Sequence, residues 1–194
     1  PMFAAKQFLY NCMENFPIQN IAKLNIELFG SLALTGKGHG TDRAILMGLE
    51  GNEPASIETE QIPARLNRIL KTNTLSLMNE HSIHFDEKDS LIFKYNDVLP
   101  HHSNGMRFKV FDADQNILFE QDFYSVGGGF ILNSDEIKNE LEIKNAKTPF
   151  PFNTWEELFM HCERTGMTCR ELMLINEQTW RTECNAHANL PSSW

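Results

Sequence analysis

GMRFKVFDADQNILFEQDFYS, residues 105–125, alternates apolar and polar side chains on either side of a polar turn. Met106, Phe108 and Val110 interleave with Arg107 and Lys109, and Ile117, Phe119 and Phe123 resume the alternation beyond Asp112–Asn116. Period two marks a strand with one buried face, and so short a connection permits only an antiparallel pair. The stretch is expected to be a β-hairpin. Further back, Leu24, Ile26 and Leu28 alternate with Lys23, Asn25 and Glu27, predicting a strand over about 21–29. Ahead of that, Ala5, Phe8, Leu9, Cys12 and Phe16 fall at helical spacing, predicting an amphipathic helix near 3–15 ended by Pro17. Helices first and a hairpin later place the chain in the α+β class, a mixed or antiparallel sheet with helices on one face.

The remaining segments follow the same logic. A helix is expected over about 58–72 with Ile62, Leu66, Ile69 and Leu70 on one side. Pro63 fits only its first turn, so it starts near Glu60 or later. Ile83 and Phe85, then Leu91, Phe93 and Tyr95, suggest short strands around a turn at Asp86–Asp89. Gly127–Gly129 is a backbone-permissive stretch before Phe130, Ile131 and Leu132. Thr148, Pro149, Phe150 and Pro151 make a stiff linker. Two helices with capping-box starts follow, Asn153…Glu156 and Thr168…Glu171. The first carries Trp155, Leu158, Phe159 and Cys162 on one face and ends at Gly166. The expected division is a domain over 1–147 and a proline-led helical connector over 148–194, with Asn189–Trp194 irregular.

Composition narrows the function classes. A chain of 194 residues, 41% hydrophobic and 22% charged, has the make-up of a soluble globular protein. A formal net charge of −9 argues against general nucleic-acid binding. No apolar run approaches the roughly 20 residues of a membrane span, and no signal peptide is visible. The chain begins at Pro1 without an initiator methionine, as expected of a processed protein or a piece of a longer one. Cys12, Cys162, Cys169 and Cys184 show no paired CxxC spacing of the kind that zinc or iron–sulfur sites use. Cys12 and Cys162 fall at apolar helical positions and are expected to be buried free thiols, which fits a reducing, cytoplasmic setting. The histidines offer no metal-ligand spacing either. His81 and His84 would point to opposite faces of an extended segment, His161 and His187 lie apart, and Asp112 and Asp114 are too few for a calcium loop.

Three polar clusters interrupt the pattern: Lys37-Gly38-His39-Gly40-Thr41-Asp42, His101-His102-Ser103-Asn104-Gly105, and Tyr124-Ser125-Val126. The first lies in GSLALTGKGHGTDRAILMGLEG, residues 30–51, where Thr41 and Asp42 can cap a short helix bearing Ile45, Leu46 and Leu49. Gly36, Gly38 and Gly40 match neither the dinucleotide fingerprint nor a P-loop. A cation and an imidazole on a glycine loop suit a carboxylate-bearing ligand and a proton transfer. If the strand ends meet, such a ligand could contact His39, Lys37, Asn104 and glycine amides together. Surface-turn roles for His101 and His102, and a packed ring with a wet hydroxyl for Tyr124, are the simpler readings of those residues.

At this point the residues become recognisable. GSLALTGKGHGTDRAILMGLEGNEPASI, then LPHHSNGM and YSVGGGFI, closely resemble the iron–sulfur-dependent bacterial L-serine dehydratases, or L-serine ammonia-lyases, in consistent order through about residues 1–180. Pro1-Met2 and Ala4-Ala5-Lys6 look like the end of that family's amino-terminal signature, whose Gly-Pro-Ser-Ser-Ser-His-Thr stretch would lie just upstream. The resemblance implies a β domain similar to the allosteric substrate-binding domain of some phosphoglycerate dehydrogenases. It also implies a connector, and a helical catalytic domain holding a 4Fe–4S cluster that this chain does not include. The implied reaction is β-elimination of L-serine to aminoacrylate, which hydrolyses to pyruvate and ammonia, within amino-acid catabolism and gluconeogenesis. The implied base is His39, with Lys37, Gly38, Thr41, Asp42, His102 and Asn104 as substrate-binding candidates. Expected partners are L-serine, the chain's own catalytic domain and a second copy in a homodimer, with no nucleic acid or membrane.

Residues matching the cluster cysteines are missing, and 181–194 fit the pattern less well. A base without a Lewis acid for the leaving hydroxide predicts that these residues alone are inactive. Two other roles remain open for the same loop: an allosteric serine or anion site, or a dimerisation module using the hairpin's strand edges.

Overall fold

The computed structural model describes residues 1–145 and 148–178; for 140–145 only the backbone is described. Cys184, His187 and Asn189–Trp194 lie outside the described residues. The chain divides into two compact units, Pro1–Ile137 and Lys138 onward.

The first unit opens with α1 (Met2–Met13), β1 (Lys23–Phe29), α2 (Gly30–Gly36) and α3 (Thr41–Leu49). It continues through α4 (Ile62–Thr72), β2 (Thr74–Leu77), β3 (His81–His84), the single turn α5 (Glu87–Ser90) and β4 (Leu91–Lys94). The expected hairpin is β5 (Gly105–Phe111) and β6 (Ile117–Gly127), followed by β7 (Phe130–Asn133) and α6 (Ser134–Asn145). Five strands form one sheet in the order β4-β1-β5-β6-β7. β4 runs parallel to β1 and the other pairs are antiparallel, so the sheet is mixed. This is an α+β fold.

The alternation read from the sequence sorts the two faces. Leu24, Ile26 and Leu28 of β1, Met106, Phe108 and Val110 of β5, and Phe123 of β6 are buried on one side. They join Ala4, Ala5, Phe8, Leu9 and Cys12 of α1 and Ile45, Leu46 and Leu49 of α3 in one core. Phe8 lies at its centre, stacked on Phe108 at 5.2 Å and Phe119 at 5.5 Å between ring centroids. The opposite face carries a ladder of charges across four strands. Lys94 and Lys109 meet Glu27 at 4.0 and 3.5 Å, Lys109 meets Glu120 at 3.3 Å, and Arg107 meets Glu120 at 3.4 Å. Arg107 then binds Asp122 through two hydrogen bonds of 2.6 and 2.8 Å. These bonds push the Arg107 pKa up first, with the nearby carboxylates adding to it and partial burial opposing it.

Several local expectations need correction. The short strands expected on either side of the Asp86–Asp89 turn are present as β3 and β4, but they belong to different sheets, β3 pairing with β2 in a separate hairpin. The β2–β3 turn places both Met78 and Asn79 at positive φ, a geometry for which an Asn-Gly pair is the usual signal. Leu70 of α4 turns outward, 49% exposed, while Ile69 is buried. α2, β2, β7 and α6 went unread as elements.

The second unit contains α7 (Trp155–Thr165) and α8 (Cys169–Gln178), joined through Gly166 at φ 71°. The capping box of α7 is Thr154 with Glu157, one residue later than Asn153…Glu156, and Asn153 N–H also reaches Glu157 Oε2. The Thr168–Glu171 box is present as expected. Leu158 is buried, whereas Trp155 and Phe159 stay exposed in an edge-to-face pair, so the expected apolar face of α7 is split. The linker folds onto this hairpin: the Asn176 amide donates to Phe150 O at 2.8 Å and accepts from Phe150 N–H at 3.0 Å.

Replacing Phe8 with Ala removes the ring that bridges α1 to both hairpin strands. The expected loss is about 3–5 kcal/mol, read by urea unfolding. In the second unit, hydrogen bonds from Thr168, its backbone N–H first and its hydroxyl second, hold the Glu171 carboxyl below its ordinary value. A depressed folded-state pKa contributes stability above the ordinary carboxylate value and loses it as pH falls through the depressed one. NMR titration should find Glu171 below a free glutamate, and Thr168→Ala should move it part of the way back.

Candidate functional site

Strand pairing decides where the three polar clusters lie. Leu28 of β1 opposes Met106 of β5, and Gly105 opposes Tyr124 of β6. The end of β1, the start of β5 and the end of β6 therefore share one edge of the sheet. The glycine stretch, the 101–105 segment and Tyr124–Val126 all hang from that edge.

Backbone contacts knit two of these segments to the beginning of the third. Gly30 N–H donates to Asp97 O at 2.9 Å and Ser31 N–H to Ser103 O at 3.1 Å. Gly30 takes φ +51°, and a Cβ there would lie 2.5 Å from Ser103 O and 3.0 Å from Val98 Cγ1. Only glycine meets both demands. On the other side, Ser125 N–H donates to Asn104 O at 2.9 Å, and the Asn104 side-chain amide donates to Ser125 O at 3.3 Å. Asn104 N–H also donates to His102 Nδ1 at 3.0 Å. That bond makes Nδ1 the acceptor, so in the neutral ring the proton is assigned to Nε2. His101 and His102 are half-buried rather than surface residues, and His101 sits edge-on to Tyr124 at 5.8 Å. Tyr124 is buried, and its hydroxyl is not wet as expected: burial pushes its pKa up, opposed by a hydrogen bond with the Ser134 side chain.

The stretch expected to be a loop is helical for its first seven residues, the span of α2. His39 N–H still donates to Thr35 O at 3.1 Å, continuing that helix before the chain turns. Gly40, not Thr41, is the N-cap of α3, in the left-handed conformation at φ 68°. Thr41 is the first residue of α3 and is buried, and a Cβ on Gly36 would touch its Cβ at 3.4 Å. Asp42 Oδ1 accepts from Arg43 N–H at 2.8 Å instead of capping from outside the helix.

Lys37, Gly38 and His39 are exposed. The Lys37 ammonium lies 5.2 Å from the centroid of Phe93 on β4, a cation–π contact that steadies its stem. An open cavity of about 340 Å³ borders Gly40, lined chiefly by Met2, Arg43, Met47, Thr59 and Ile62.

The structure thus brings His102, Asn104 and Ser125 together by direct bonds and ties their segment to the root of α2. Lys37 and His39 are presented at the far end of that helix, next to β4. Among the described residues, no hydrogen bond or ion pair links the side chains of His39 or Lys37 to His102 or Asn104. Gly30, Asp97 and Phe93, which position the clusters, were not singled out in the sequence. The glycine directly after a period-two strand was the available signal for the first.

The glycine-bearing α+β unit matches the family model for the serine dehydratase beta chain over residues 1–136. The chain belongs to that family. It is 34% identical to an L-serine dehydratase of Streptomyces coelicolor over all of this chain and 43% of the relative. It is likewise 34% identical to L-serine dehydratase 1 of Escherichia coli, over 91% of this chain and 38% of the relative. An L-serine dehydratase of Helicobacter pylori is 34% identical over 87% of this chain and 37% of the relative. The chain spans less than half the length of these relatives. No described helix is long and apolar enough to cross a membrane.

Gly30→Ala should separate the two loop segments by forcing a Cβ against Ser103 O in a left-handed backbone. The expected cost is about 1–3 kcal/mol, measured as a drop in thermal stability, with the amide resonances of Ser31 and Asn104 shifted together.

Proposed function

We propose that this chain is the β domain and connector of a 4Fe–4S-dependent L-serine ammonia-lyase that converts L-serine to pyruvate and ammonia. In this reading His39 is the general base that takes the α-proton. The observation that supports it most is the exposed imidazole on a turn between two helices, beside an ammonium and the N-terminus of α3. The α3 backbone N–H groups and Lys37 give that turn a positive potential suited to a substrate carboxylate. Gly38 lets the backbone approach the ligand, while His102 and Asn104, held at the opposite end of α2, are candidates for polar contact with the part of the substrate farther from the imidazole. Thr41 contributes through its backbone, since its side chain is buried. Asp42 is placed in the first turn of α3, beside the turn that carries the imidazole.

The cluster does not fit the residues described here. Among them, no group of three or more His, Cys, Asp or Glu side chains converges, whereas a four-iron cluster is held by several cysteine thiolates. It would be held by the part of the relatives' length that this chain does not span. A cytoplasmic homodimer, with L-serine bound between this unit and the catalytic domain, completes the proposal.

His39→Ala in the full-length enzyme should lower kcat by about 10²–10⁴-fold, with cluster content and KM little changed. Altered cooperativity at an intact maximal rate would instead assign the loop an allosteric role. A change in sedimentation alone would assign it to assembly. These 194 residues by themselves, after anaerobic cluster reconstitution, should form no pyruvate.

A further inference from the structure

We propose that Cys162 and Cys169 are a dithiol site that forms a reversible intramolecular disulfide when a peroxide oxidises the protein. Cys162 lies in the last turns of α7 and Cys169 opens α8, and Gly166 between them reverses the chain. Gly166 N–H donates to Cys162 O at 2.8 Å, and Leu172 N–H donates to Thr168 O at 3.1 Å, so both backbones are held by regular hydrogen bonds. The two sulfurs stand 3.6 Å apart, in contact, with one S–H directed at the other sulfur. A disulfide bond is about 2.05 Å long, so bonding requires the two sulfurs to close by about 1.5 Å. Both residues are half-buried, so a small oxidant reaches them, whereas Cys12 is enclosed in the core of the first unit.

The sequence offered no sign of this pair. Its members are separated by seven positions, outside any two-cysteine motif, and the expectation of a buried Cys162 is corrected by its partial exposure. Burial first, and the neighbouring Cys169 second, push the Cys162 thiol up. Attack on hydrogen peroxide by one thiolate breaks the O–O bond, forms a sulfenic acid and releases water once hydroxide is protonated. The second sulfur then attacks the sulfenic sulfur, forming the S–S bond and releasing a second water with the remaining thiol proton. Two thiols and one peroxide become one disulfide and two waters. The sulfurs lose the two electrons that the peroxide gains. The product would lock the end of α7 to the start of α8 and stiffen the hairpin.

The test uses the full chain, purified reduced, exposed to hydrogen peroxide, alkylated under denaturing conditions and digested for mass spectrometry. The expected product is a Cys162–Cys169 cross-linked peptide two mass units lighter than the reduced pair, restored by dithiothreitol, with Cys12 fully alkylated. Cys184→Ser should leave this product intact. Cys162→Ser and Cys169→Ser should each abolish it, and the cysteine left behind should become reactive to dimedone. Oxidation should raise the thermal midpoint of the parent and of Cys184→Ser but of neither single variant at the pair; Ala replacements repeat the comparison if a Ser variant fails to fold. Sulfinic acid at either position without a cross-link, pairing with Cys184, or no two-unit loss would each overturn the proposal.

Discussion

The backbone contact between Gly30 and Ser103 is the constraint on which the glycine-bearing edge of the sheet depends. It joins the chain leaving β1 to the chain entering β5 at the one point where a side chain would prevent their approach. It fixes the origin of α2, while the packing of Gly36 near Phe93 and the approach of Lys37 to the same ring place the turn carrying Lys37 and His39 against the sheet. The same contact aligns the 101–104 segment, whose own geometry is completed by the hydrogen bonds of Asn104 to His102 and Ser125. Rigid placement of this glycine-rich sequence is what the proposed proton abstraction by His39 would require.

The two faces of the sheet serve different ends. The apolar face packs α1 and α3 around Phe8, and this burial supplies most of the driving force for folding. The opposite face is an alternation of cations and carboxylates from Lys94 to Asp122, in which each strand meets an opposite charge on the next. These side chains are half-buried, and solvent screening still limits what each pair adds individually. Their regular cross-strand placement favours this register over a slipped one, because a one-residue slip would bring apolar side chains opposite the charges.

Segments with strong local periodicity were legible before any coordinates. The β5–β6 hairpin, β1, α1 and the late start of α4 all follow from apolar spacing and from proline. The polar clusters were legible as interruptions of those patterns, but their neighbours were not. α2 was hidden by the glycines that follow it. Its helix is anchored by Gly30 and ends where Gly36 packs near Phe93, contacts from residues far along the chain. The β2–β3 turn was hidden because Met78 and Asn79 occupy positions that usually call for Asn-Gly. Met78 N–H bonded to Leu49 O and the Asn79 side chain bonded to Glu50 O hold it in place. The capping boxes were read to within one residue, since caps are made by neighbours in sequence.

Taken alone, the order of amino acids determined the α+β class, the buried face of each long strand, the glycine turn that bears His39 and the acidic character of the whole. Tertiary structure decided that β4 lies parallel beside β1, that Ser103 meets Gly30, and that Cys162 touches Cys169. Periodicity and capping are properties of residues a few positions apart, so they are written locally. Which strand ends become neighbours depends on contacts between distant segments, and those exist only once the core around Phe8 has closed; the two sulfurs meet only once α7 and α8 have folded back on each other.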